Sequence, residues 1–122
     1  RWLYTFLSKK PNKNLMKPNC HYQTLHKAEI GQISRCNSCG NLRVEIGSLL
    51  ALISAESFEL ILDDFVQRRV FYAENHTEER VLICLNNNNL YLKLTIREFD
   101  EVLELFEIAN HMLKVNQLMT ID

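Results

Sequence analysis

Two thiols separated by two small polar residues, Cys36-Asn37-Ser38-Cys39, with Gly40 directly after them, are the part of this chain best suited to chemistry. That spacing lets one tight turn present two thiolates at tetrahedral angles, and a following glycine lets backbone amides turn toward the sulfurs. A third thiol, Cys20, lies upstream. A closed structural site needs four ligands, so the expected set is Cys20, Cys36 and Cys39, with His21 or His26 as the fourth. The metal implied is zinc in a structural role. A strand pattern follows the thiols, as in a zinc ribbon, although only one of a ribbon's two knuckles is present. A thioredoxin-type redox pair fits less well, because its thiols sit at a helix N-terminus whose dipole lowers their pKa.

Little else in the chain suggests catalysis. There is no Gly-rich phosphate loop and no nucleophile elbow. A three-thiolate site with an open fourth position is the one route to metal-centred chemistry, and the nearby carboxylates are Glu29 and Glu45. His76 and His111 lack a Ser or Cys partner in the sequence. Asp63-Asp64 and Glu78-Glu79 read as solvated acids, and Cys84 as a small buried side chain. No catalytic residue is expected, and a metal- or thiol-dependent enzyme is the alternative.

The elements that must position the thiols are clearest after Gly40. Leu42, Val44 and Ile46 alternate with Arg43 and Glu45, a period-two strand. Gly47-Ser48 is a two-residue hairpin turn that pairs Ile46 with Leu49, Val44 with Ala51 and Leu42 with Ile53. Ser54 is placed to cap a helix carrying Phe58, Ile61, Leu62, Phe65 and Val66 at helical spacing and ending near Tyr72–Asn75. The pattern then recurs. Val81, Ile83 and Leu85 alternate, Asn86–Asn89 turn the chain, and Leu90, Leu92 and Leu94 alternate back. Thr95 and Glu98 form a capping box before a helix lined by Phe99, Val102, Leu103, Phe106, Ala109 and Leu113. One constant offset carries Ser54 onto Thr95, Phe58 onto Phe99 and Phe65 onto Phe106, an internal strand–strand–helix repeat over 42–75 and 81–115.

The predicted class is α+β, with the two repeats forming a four-stranded antiparallel sheet and both helices on one face, preceded by a zinc-knuckle-like N-terminal segment. Residues 1–27 read as a basic, largely irregular arm, broken by Pro11 and Pro18, and 28–122 as a single domain holding the repeats. Met16 precedes the first patterned residues, so 1–15 are expected to be an upstream extension. Between the arm and the thiols, Ile30 and Ile33 hint at a short strand. The second sheet face carries Leu50, Leu52, Leu82, Cys84 and Tyr91, more apolar than a bare solvated face. The arm or a second copy is expected to cover part of it. Leu105, Ile108 and Met112 lie off the core stripe of the second helix and point to the same conclusion. Homodimerisation or a protein partner, through that face or that helix, is the expected mode of action.

Composition sets the remaining bounds. The chain of 122 residues is 47% hydrophobic and 24% charged, ordinary for one globular domain. Its net charge of −1 hides an asymmetry: 1–27 hold six basic and no acidic residues, while 28–122 hold eight basic and fifteen acidic ones. The arm's lysines, interleaved with Tyr4, Phe6 and Tyr22, suggest a nucleic-acid-binding regulator as a second alternative. The acidic body opposes it. No run approaches the roughly 18–20 apolar residues of a membrane-spanning helix, and no secretion signal is evident. A body with enough core to fold unaided favours reduced thiols and a cytoplasmic setting over disulfides.

Cys20, Cys36, Cys39, Leu42, Val44, Gly47, Ser54 and Phe58 form an order of thiol knuckle, strand, Gly and Ser-x-x-x-Phe. This order resembles a family of short uncharacterised proteins of Bacteroidota-type bacteria, over roughly Cys20 to the chain end. Ile46 and Ser57 stand where that family's pattern has aromatic and acidic residues. The resemblance implies a bacterial cytoplasmic protein without an assigned activity.

Overall fold

The computed structural model describes residues 20–75, 80–85 and 91–119. Four strands come first: β1 (Tyr22–Ala28), β2 (Gly31–Cys36), β3 (Leu42–Ile46) and β4 (Leu49–Ile53). Helix α1 (Ala55–Asn75), strands β5 (Val81–Ile83) and β6 (Leu92–Leu94) and helix α2 (Ile96–Met119) follow. The first four strands form an antiparallel meander in the order β1-β2-β3-β4, and among the described residues β5 pairs with β6 alone. The class is therefore α+β, a four-stranded antiparallel sheet with two helices and an N-terminal cysteine cluster.

The composition of that sheet corrects the expected one. The two repeat hairpins do not join, because β2 occupies the edge of β3. Gly31 permits this, since a Cβ there would land on the Glu45 carbonyl oxygen of β3. The halves share a local order of hairpin, cap and helix. Their hairpins differ in strand length and in sheet, so the fold does not establish a duplication. The arm is corrected too: Tyr22–Ala28 is a strand, not irregular chain. A register shift between Thr24 and His26 admits Leu25 as an extra residue, which breaks the period-two signature. Leu25 is nevertheless 6% exposed and part of the core.

Local rules explain the rest. The β3–β4 register is the expected one, Leu42–Ile53, Val44–Ala51 and Ile46–Leu49, with Gly47 turning the chain at φ 60°. Val81–Leu94 and Ile83–Leu92 also pair as expected, while the Leu85–Leu90 pair lies outside the described residues. Ser54 Oγ accepts the Ser57 amide at 3.1 Å and caps α1. At α2 the capping box is reciprocal: Glu98 N donates to Thr95 Oγ1 at 3.0 Å, and Thr95 N donates to Glu98 Oε1 at 2.8 Å. That bond from the Thr95 amide holds the Glu98 carboxyl below its ordinary range. The cap is thus complete above the usual glutamate pKa and weakens as pH falls through the depressed one.

Both helices, β5–β6 and one face of the meander share a single core. Its centre is aromatic: Phe58 stacks on Phe106 at 5.0 Å, and Phe65 meets Phe106 and Phe99 edge-on at 5.1 and 5.6 Å. Helix α2 touches α1 on one side and β1, β2 and β6 on the other, so its buried arc is wider than one stripe. For that reason Leu105, expected off the stripe, is 1% exposed, and Met112 packs against the core. Val66, expected inside, is exposed on α1.

Phe106→Ala should cost about 3–5 kcal/mol in urea denaturation, whereas Leu60→Ala, on the outer face of α1, should stay within about 0.5 kcal/mol. Gly31→Ala should destabilise by at least the ~1–3 kcal/mol typical of overpacking, because a backbone carbonyl cannot give way as a side chain can. A near-neutral Gly31→Ala would show that β2 does not lie this close to β3.

Candidate metal centre

The site lies where β2 ends and the chain turns toward β3. Tyr22 is paired with Cys36 in the last register of β1 and β2, so Cys20, two residues earlier, reaches the same end of the sheet. Beyond Cys36 the chain folds into a knuckle. Gly40 N donates to the Cys36 carbonyl at 2.9 Å, Cys36 N to the Asn41 carbonyl at 2.9 Å, and Asn37 N to the His21 carbonyl at 3.2 Å. Gly40 stands at φ 79°, a left-handed conformation that glycine adopts without steric cost. The knuckle and the residue before β1 are therefore stitched together by backbone alone.

This arrangement brings the sulfurs of Cys20, Cys36 and Cys39 within 4.8 Å of one another. The Cys20–Cys39 separation is 3.9 Å. Two thiolates on a tetrahedral zinc with bonds of about 2.3 Å stand about 3.8 Å apart, so this pair already has the edge length of such a site. Cys36 is fully buried, and Cys20 and Cys39 are half-buried. Asn41 Nδ2 donates to Cys39 Sγ at 3.4 Å.

The three thiols are electrostatically unequal. At Cys36, burial opposes ionisation, but the amides of Cys39 and Ser38 and the thiols of Cys20 and Cys39 donate to its sulfur and bring it down to about 6. Cys20 is pushed up to about 11, first because its thiol hydrogen-bonds Cys36 and then by burial and the two neighbouring sulfurs. The Cys36 sulfur thus accepts from the backbone N–H groups of the knuckle. Tyr22 lies beside the cluster, and burial followed by the charge of the three sulfurs raises its phenol. Arg43 covers the Tyr22 ring at 4.5 Å.

The histidines expected as fourth ligand are placed differently. Neither His21 nor His26 belongs to the cluster. His21 is adjacent to it, with its carbonyl in the knuckle and its side chain exposed. His26 faces Ile33 in mid-strand, four residues beyond Tyr22 and so roughly 13 Å along β1. Glu29 lies in the turn at the opposite end of the sheet, and Glu45 accepts from Gln32 and pairs with Arg43. Cys84 is half-buried and outside the cluster, and His76 lies outside the described residues. Asn41, Tyr22 and Arg43 were not anticipated as neighbours of the site. A polar residue directly after Cys-x-x-Cys-Gly was the only available signal for Asn41, and for the other two there was none without the register of β1.

The chain matches no family model, no curated protein and no solved structure. The site must therefore be read from its own geometry. Among the described residues no helix is long and apolar enough to cross a membrane.

Gly40→Ala meets only the Arg35 guanidinium, at an ordinary contact distance of 3.8 Å, but takes on the strain of a left-handed residue, about 1–2 kcal/mol. Local opening of the knuckle should rise roughly ten-fold or so. Cys36 in metal-free protein should then be alkylated correspondingly faster than in wild type, by mass spectrometry. Equal rates would show that Gly40 does not hold the turn.

Proposed function

We propose that this chain is a small zinc-stabilised module that works by associating with other proteins rather than by catalysing a reaction. The observation that carries the zinc reading is the convergence of three sulfurs within 4.8 Å, one pair at 3.9 Å, on a knuckle whose amides donate to one of them. A single knuckle closed by Cys20 fastens the entry of β1 to the exit of β2. The fourth position falls to His21, whose backbone is in place, or to a group outside the described residues. Reduced thiols of this kind belong in the cytoplasm.

Association is supported by large exposed apolar side chains on α1 and β5. Leu60, Val70 and Phe71 of α1 are more than half exposed, and Leu82 of β5 is 49% exposed. Arg68 of α1 donates to the Leu82 carbonyl at 2.5 Å, which ties these two elements together. A second copy of this chain is the simplest partner for such side chains.

Structural zinc supplies about 10–16 kcal/mol of apparent binding free energy in small peptides, as much as a whole domain's stability. Here none of the three thiols belongs to the hydrophobic core cluster that holds the aromatic rings. Chelation should therefore loosen the knuckle and the start of β1 while the helical unfolding transition survives. Melting of the entire chain on chelation would contradict this division. Elemental analysis should find one zinc per chain, lost in both Cys20→Ser and Cys36→Ser. Purified protein without zinc that also fails to take it up would refute the reading.

A further inference from the structure

The three thiols of the cluster differ in what can reach them. Cys36 is fully buried, and its sulfur accepts from the amides of Ser38 and Cys39 inside the knuckle. Cys20 and Cys39 are half-buried, so a small solute meets their sulfurs and not that of Cys36. These two sulfurs lie 3.9 Å apart, although 19 positions separate the residues in the chain. The backbone keeps them neighbours: Tyr22 pairs with Cys36, and Asn37 N donates to the His21 carbonyl at 3.2 Å. An accessible thiol beside a second thiol is the arrangement in which oxidation stops at a disulfide, because the neighbour consumes the sulfenic acid formed first.

We propose that Cys20 and Cys39 are a site of oxidative modification, closed to a disulfide by hydrogen peroxide while Cys36 stays reduced. In the first step one of the two sulfurs attacks the peroxide as a thiolate. An S–O bond forms, the O–O bond breaks, and hydroxide leaves and takes up a proton to become water. In the second step the other sulfur attacks the sulfenic sulfur. The S–S bond forms, the S–O bond breaks, and the oxygen departs with a proton as a second water. The two sulfurs supply two electrons, the peroxide accepts both, and the two protons come from the thiols or, for sulfurs held on a metal, from solvent. Cys36 is excluded twice. It is buried from the oxidant, and to bond with Cys39 its sulfur would have to leave two amide donors. Release of metal, the second half of the proposal, rests on the zinc reading: with two of three sulfurs spent, the remaining ligands are too few to hold the ion. The disulfide then ties the entry of β1 to the knuckle in the metal's place. The site thus converts exposure to peroxide into zinc release without unfolding the chain.

Peptide mapping tests this on the protein after its zinc content has been measured. The chain is treated with hydrogen peroxide, denatured, alkylated with iodoacetamide and digested with trypsin. Cleavage after Arg35 and Arg43 puts Cys36 and Cys39 in one peptide and Cys20 in another. The expected product joins the two peptides through Cys20 and Cys39, with alkyl groups on Cys36 and on Cys84, and one zinc is released for each bond formed. Cys36→Ser should still give the joined peptides. A loop between Cys36 and Cys39 within one peptide, a Cys20–Cys36 link, or thiols that survive peroxide would overturn the proposal and leave the zinc reading intact. Protein that never binds zinc but forms the Cys20–Cys39 bond would refute the zinc reading and leave the modification site standing. Hydrogen exchange reads the replacement of the tie: the amides of Tyr22 and Gln23 should stay protected in oxidised, zinc-free protein and exchange faster in chelated, reduced protein. Equal loss of protection in both would show that the disulfide does not take over from the metal.

Discussion

The register that sets Tyr22 opposite Cys36 is the constraint on which the site depends. It delivers Cys20 to a knuckle made from residues far along the chain, and the knuckle returns a backbone bond from Asn37 to His21. Slip that pairing by one residue and Cys20 moves to the other side of the strand, because side chains alternate along β structure. The bulge at Leu25 is part of the same device. It lets β1 put Tyr22 on the thiol-bearing face while Leu25 serves the core. Gly31 completes the arrangement by letting β2 lie against β3.

The site and the core are consequently separate assemblies that share a sheet. The Phe58–Phe106–Phe65–Phe99 cluster joins α1 to α2 on one face, and each such side chain contributes about 1.5–3 kcal/mol by burial. The sulfurs sit at one end of the meander, on the side of Tyr22 and Arg43. A metal held there would tie down the entry of the chain without supporting the aromatic core.

Much of this was legible in the residues because it follows local rules. Alternation in Leu42–Ile46, the Gly47 turn and the two caps each depend on a few neighbouring positions, and each formed as read. The cysteine cluster was legible for the same reason, since the Cys36–Cys39 spacing carries its own geometry. What was not legible involves choices between distant partners. Period-two reading passed over β1 because the bulge removes its period. Nothing local says that β3 prefers β2 to a strand of the second hairpin. Leu105 read as exposed because a helical stripe assumes one contacted side, whereas α2 has two. His26 qualified by type and distance in sequence, but strand geometry carries it away from the sulfurs.

The central claim is that Cys20, Cys36 and Cys39 hold one metal ion together. X-ray absorption at the zinc edge of the purified protein tests it most directly. The account predicts three sulfur scatterers at about 2.3 Å with one lighter nitrogen or oxygen. A shell of oxygen and nitrogen alone, or fewer than three sulfurs, would contradict it.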